Sequence, residues 1–282
     1  MIKGKPLDQF GEVLMCATLP FDSWRTRHDK VKMEIQSLGL ESGLLVDAEP
    51  FGLFSHLIPA SAYSENGHLH YHRERQGLVP DFLVSSLSDH GEQAAQLCEL
   101  KMLSAGATYY GSGTGDRSVD TRAKQLPRIY REKAKNIDRT YCGSAEGQVG
   151  PVQRRLDEFG DLGCFVVGQF GEGSHDLHQF LIKCANEKSK RLAASTGRPP
   201  SDFERSQILQ HLRRRLSVCA ITAQSSCLLC RLGHMSEGAQ EASVRRNLAK
   251  SRDEFARQEL RAHFEAGIRG RYMQDRVGHL HL

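Results

Sequence analysis

Gly77-Leu78-Val79-Pro80-Asp81-Phe82-Leu83-Val84 and Leu97-Cys98-Glu99-Leu100-Lys101-Met102-Leu103 are the two stretches on which the reading of this chain turns. Both are apolar, strand-like runs. Side chains alternate faces along a strand, so Glu99 and Lys101 point one way and Cys98, Leu100 and Met102 the other, which reads as core. A carboxylate and an ammonium on an otherwise apolar strand are costly unless they are paired or coordinate something. A turn-rich segment, Ser85 to Gln93 with Asp89-His90-Gly91 at its tip, joins the runs as a hairpin. If Asp81 lies opposite on the neighbouring strand, two carboxylates and a lysine converge. That is a small site for a hard divalent cation with a positive charge beside it, suited to phosphodiester cleavage. The plainer alternative is a hairpin carrying a surface Glu99–Lys101 salt bridge.

Pro80, Asp81, Glu99 and Lys101, with Leu100 between the last two, resemble the motif of the PD-(D/E)xK nuclease superfamily. The resemblance covers roughly residues 45–190 and implies a mixed α/β (α+β) fold with a restriction-endonuclease-like αβββαβ core. It implies that Asp81 and Glu99 bind Mg²⁺, or Mn²⁺ in its place, that the Leu100 carbonyl completes the coordination, and that Lys101 assists the attacking water. It further implies an acidic residue on a preceding helix, for which Glu49 is the candidate and Asp47 and Glu34 the rivals. A polar residue on the helix after the third strand is also implied. Lys124 and Gln125 are the candidates, with Arg122 as a phosphate clamp.

Periodicity read outward from the hairpin predicts an amphipathic helix over 23–39 and a short helix from Asp47 to Leu57, entered through Glu49-Pro50. His68 to Arg75 alternates as a strand would. The motif strands fall near 78–85 and 96–103. Gly150-Pro151 opens a short helix bearing Val152, Leu156 and Phe159 and stopped by Gly160. Leu162 to Phe170 is a buried strand, and Ser174 caps a helix to about Arg191. The stretch 193–200 reads as a linker. After it, Ser201 and Glu204 form a capping box for a long helix ending at Gly233, and a second helical stretch covers 242–266. The expected organisation is an arm and helix over 1–44, a nuclease-like core over 45–192 and a helical extension over 193–282.

Between Thr121 and Tyr141 lies a basic segment that Pro127 should kink or split. Arg122, Lys124, Gln125, Arg128, Arg131 and Lys135 are its candidate nucleic-acid contacts, and Tyr130 and Tyr141 are candidates for stacking on bases. A solvated helix face is the plainer account of the same residues. Gly111 to Asp116 is Gly-rich but lacks a complete phosphate-binding fingerprint. His68, His70 and His72 share a strand face, yet the outer two lie ~13 Å apart, too far to share one metal. Cys227 and Cys230 fall on the apolar stripe of the long helix.

The net charge of +4 is modest, and its basic residues cluster, which favours a polyanionic partner. Eight cysteines without regular spacing suggest free thiols in a reducing compartment, and no secretory signal or membrane-length apolar run is evident. The expectation is an intracellular protein of nucleus or cytoplasm, acting on DNA without membrane contact, with a homodimer or protein partner engaged through the C-terminal helices. The function expected is metal-dependent DNA hydrolysis, in repair, recombination or a mobile element. The alternatives are a non-catalytic nucleic-acid binder of the same fold and a helical interaction scaffold.

Overall fold

The computed structural model describes residues 23–50, 52–63, 78–87, 93–103 and 117–236. The described residues form a mixed α/β fold of five helices around a four-stranded sheet. Helix α1 (Ser23–Ser42) leads into β1 (Leu45–Ala48), two short 3-10 turns (Ser55–Leu57 and Ala60–Ala62), β2 (Phe82–Leu87) and β3 (Gln93–Met102). Then come α2 (Arg117–Tyr141), α3 (Pro151–Glu158), β4 (Gly163–Val167), α4 (His175–Thr196) and α5 (Asp202–Ser236). Strand order is β1-β2-β3-β4; the first two pairings are antiparallel and the last is parallel.

Both faces of the sheet are covered. On one face Phe82, Val84, Cys98, Leu100, Phe165 and Val167 pack against Val31, Ile35 and Leu38 of α1, Phe180 and Cys184 of α4, and Leu212 and Leu216 of α5. On the other, Leu97 packs with Tyr130, Ala134 and Ile137 of α2 and Val152 and Leu156 of α3, while Leu103, Cys164 and Val166 meet Val119 and Leu126. This double burial explains why every residue of β4 is buried, since a strand parallel to its neighbour and covered on both sides carries no polar face. Gly39 lets α1 approach β1 closely, because a Cβ there would stand 2.4 Å from Val46 Cγ2. The compact unit extends to Leu229.

Several expectations need correction. Asp47 to Leu57 is not a helix. Leu45–Ala48 pairs with β2 as the first strand, and the chain then turns at Glu49, whose φ of 49° is rare for a residue with a side chain. The ladder to β2 outweighs the helix-starting character of Glu49-Pro50. Pro127 does not split its helix, for α2 runs unbroken from Arg117 to Tyr141, held by a buried stripe that continues on both sides of the proline. Gly233 does not end α5, which continues to Ser236. Ser174 precedes α4, but its hydroxyl donates to the Cys164 carbonyl and accepts from the Val166 amide, so it ties the helix to β4 instead of capping it. His68 to Arg75, the hairpin tip, the Gly-rich stretch, the 242–266 segment and the first 22 residues lie outside the described residues. No helix among the described residues is long and apolar enough to cross a membrane.

Candidate metal and phosphodiester site

The register of the hairpin builds the site. Phe82 pairs with Cys98 and Ala48 with Phe82, so extending each ladder by one residue sets Asp81 between Glu49 and Glu99 in a single row across three strands. The Glu49 amide donates to the Asp81 carbonyl at 2.9 Å, which fixes the first of these neighbours. One residue further, the β2–β3 ladder would bring Leu100 opposite Pro80. Proline has no N–H to give, so the ladder must stop there and leave the Leu100 backbone free on that side. Its amide donates instead to Asp81 Oδ2 at 2.8 Å, and its carbonyl lies 3.2 Å from His28 Nε2. The Pro-Asp pair thus does two jobs: the proline ends the pairing, and the aspartate takes over one of the freed groups.

Glu99 and Lys101 share the face of β3 that lies under α2, and Lys101 Nζ is 2.5 Å from Glu99 Oε1. Glu99 is only 5 % exposed. Burial, then the negative charge of Asp81, pushes its carboxyl above the ordinary range, and Lys101 counters this only in part. Burial acts on the Asp81 carboxyl in the same direction, but the hydrogen bond and charge of His28 and the Leu100 amide outweigh it and leave it low. Burial would lower the Lys101 amine, yet the Glu99 carboxylate raises it above its usual value, so it is an ammonium. Two neighbouring carboxylates with their proton affinities driven apart are a recurrent mark of functional sites.

Helix α1 supplies residues the sequence did not reveal. His28 and Lys32, one turn apart, flank the stripe Val31, Ile35 and Leu38 that docks α1 on the sheet, and so reach its edge at Asp81. His28 Nε2 is 3.5 Å and Lys32 Nζ 3.8 Å from the Asp81 carboxylate, and Lys32 also pairs with Asp29 at 3.7 Å and with Glu49. Burial works against a charge on His28, but the hydrogen bonds of Asp29 and Asp81 prevail and raise it to about 9. In sequence, a His and a Lys at helical spacing beside an apolar stripe look like any solvated helix face. Only docking shows what they touch.

The expected third carboxylate is therefore placed differently. Glu49 is on the turn after β1, not on a helix, and joins the cluster through Lys32. Asp47 is on β1 opposite Leu83, and Glu34 is drawn away to Arg215 of α5. Among the described residues, no three His, Cys, Asp or Glu side chains already stand in metal-ligating geometry; Glu99 is turned to Lys101, and Asp81 to His28 and the Leu100 amide. The oxygens of Asp81, Glu99 and the Leu100 carbonyl are the hard donors that a Mg²⁺ or Mn²⁺ ion takes, and His28 Nε2 lies beside two of them.

The basic segment divides. Arg122 is near enough to bear on the Lys101 charge, and Lys133 on that of Glu99. Gln125 accepts a hydrogen bond from Arg122 at 3.1 Å. Lys124, Arg128, Arg131 and Lys135 line a groove elsewhere on α2. Tyr130 is 3 % exposed and so is not available to stack on a base, while Tyr141 is half-buried against the same cluster. Arg215 binds Glu34 and Glu41 and ties α5 to α1. No protein-family model matches this chain, and no match was found among curated proteins or solved structures.

Proposed function

We propose that this chain is a metal-dependent nuclease of the PD-(D/E)xK type that hydrolyses DNA phosphodiester bonds. The observation that carries the reading is the row of Asp81 beside Glu99, with Lys101 on the same face and the Leu100 carbonyl released from the ladder by Pro80. The repulsion between the buried Glu99 carboxylate and the half-buried Asp81 carboxylate is a reason in the chain itself for a cation between them.

Asp81, Glu99 and the Leu100 carbonyl would hold Mg²⁺ or Mn²⁺, with His28 at the rim. A metal so bound polarises the scissile phosphate and lowers the pKa of its water. The Lys101 ammonium stabilises the negative charge that grows on the phosphate as the water oxygen bonds to phosphorus and the ester oxygen leaves. Arg122, on the Lys101 side of α2, offers a planar guanidinium to the same or the next phosphate. A water proton is released to solvent or to a neighbouring carboxylate, and the departing oxygen takes one up, so the reaction is a hydrolysis without an oxidant or a second substrate.

The test is incubation of the purified chain with labelled single- and double-stranded DNA, with Mg²⁺, Mn²⁺ or EDTA, beside Asp81→Ala and Lys101→Ala. Metal-dependent cleavage lost in both variants is the expected result. Retained DNA binding without cleavage under either metal would overturn the enzyme and leave a nucleic-acid binder of this fold.

A further inference from the structure

Two basic surfaces share α2 and look in different directions. At about 100° per residue, with Leu126, Tyr130, Ala134 and Ile137 marking the buried stripe, Lys124, Arg128, Arg131 and Lys135 point about 160° away from Arg122 and Lys133. The second set therefore cannot serve the phosphate held at the carboxylates. It lines a groove of about 480 Å³ whose other wall is Gly147, Gln148, Val149 and Gln153.

This groove is built. Asp138, 1 % exposed, reaches from α2 to accept the Val152 and Gln153 amides, both at 2.9 Å, and so caps α3 from outside. The Asp138 carbonyl also accepts from the Cys142 and Ser144 amides, which closes the 142–150 connection against α2. Lys124, Arg128, Arg131 and Lys135 are all exposed, and no carboxylate among the described residues forms an ion pair with any of them, although Glu132 lies in the same groove. Four cations against one carboxylate, along about 16 Å of helix, match several successive phosphates of one strand, at 3.4 Å of duplex axis per nucleotide.

We propose that this groove is a second track for nucleic-acid backbone, which takes the phosphates of a duplex away from the bond being cut. Guanidinium forks at positions 128 and 131 and the side-chain NH₂ groups of Gln148 and Gln153 suit phosphate oxygens, and contacts to phosphate carry no sequence information. The substrate class that follows is duplex DNA extending well past the scissile nucleotide. The identity of the ligand rests on the nuclease reading, but binding in the groove depends on neither metal nor cleavage.

The test uses the full chain carrying Asp81→Ala in EDTA, with fluorescence anisotropy on a labelled duplex of several helical turns and on polyglutamate. Adding Arg128→Ala, Arg131→Ala and Lys135→Ala should weaken duplex binding about tenfold or more and lower the salt slope by about 2.7, at 0.9 per lost phosphate contact. Arg128→Lys with Arg131→Lys should keep most of that slope, which separates charge from folding. With Asp81 restored, the alanine variant should cut a short oligonucleotide as well as wild type and a long duplex with a raised KM. Unchanged duplex affinity, or an equal loss towards polyglutamate, would overturn the proposal. Loss of duplex binding in a chain that never cleaves would sink the nuclease reading and leave the groove standing. Cleavage insensitive to the groove would do the reverse.

Discussion

Asp138→Ala removes a cap that lies in a different element from the helix it serves. In the native chain this carboxylate is almost fully buried and accepts two amide hydrogen bonds at 2.9 Å from the first turn of α3. Gly150, at the N-cap position of α3, has no side chain to replace it, and a Cβ at Gly150 would stand 2.2 Å from the Asp138 Cγ. A hydrogen bond to a charged acceptor contributes about 1.5–3 kcal/mol, and loss of an N-cap costs about 0.5–2 kcal/mol. Two bonds lost together, offset by water reaching the freed amides, should cost about 3 kcal/mol. Urea unfolding should show the midpoint fall with little change in slope, and the melting temperature should drop by about 5–10 °C. Asp138→Asn keeps one acceptor but turns an NH₂ group towards the second amide, so it should lose at least half as much. A loss under about 1 kcal/mol for the alanine variant, or an asparagine variant as stable as wild type, would refute the argument that this carboxylate holds α3 and the groove wall in place.

Three further outcomes follow from the geometry. Pro80→Ala returns an N–H opposite the Leu100 carbonyl; it should change stability by less than about 1 kcal/mol but weaken metal binding and cleavage, and unaltered metal titration curves would contradict the role given to the proline. Mg²⁺ or Mn²⁺ at 100 times its Kd should stabilise the wild type by about 2.7 kcal/mol in thermal unfolding and leave Asp81→Ala unmoved; an equal shift in both would place the ion elsewhere. Arg215→Ala should cost about 1 kcal/mol or less, since its pairs with Glu34 and Glu41 are partly exposed. Arg215 holds the Glu41 carboxyl below its ordinary value of 4.5, so this contribution is present above that pH and is lost as the pH falls through the depressed value. Wild type and variant should converge in urea titrations at acid pH and differ at neutral pH; a constant difference would exclude the ion pair as its source.

Some of the architecture was legible because local chemistry left one choice. Gly150-Pro151 and Gly160 bracket α3 as their backbone preferences require, and the short, Val-rich apolar run read as a buried strand over Leu162 to Phe170 contains the strand Gly163–Val167, buried on both faces. The β1 segment misled because Glu49-Pro50 is a good helix start. Only pairing with β2, a contact between residues 34 and more apart in the chain, makes it a strand end. Pro127 misled for a similar reason: a proline weakens an isolated helix, but the buried stripe of α2 carries it through.

The sequence by itself determined the chemistry of the hairpin. Period-two alternation sets Glu99 and Lys101 on one face, and Pro80 brings no N–H to any ladder. Tertiary structure alone decided what surrounds that chemistry. His28 and Lys32 reach Asp81 because α1 docks its apolar stripe on the sheet, and Glu34 leaves for Arg215 because α5 packs beside α1. The basic residues of α2 divide between two surfaces because one face of that helix is buried against β3 and β4. Periodicity along a chain fixes the face a side chain occupies; what that face meets is set by hydrophobic docking between elements far apart in sequence, which no local pattern encodes.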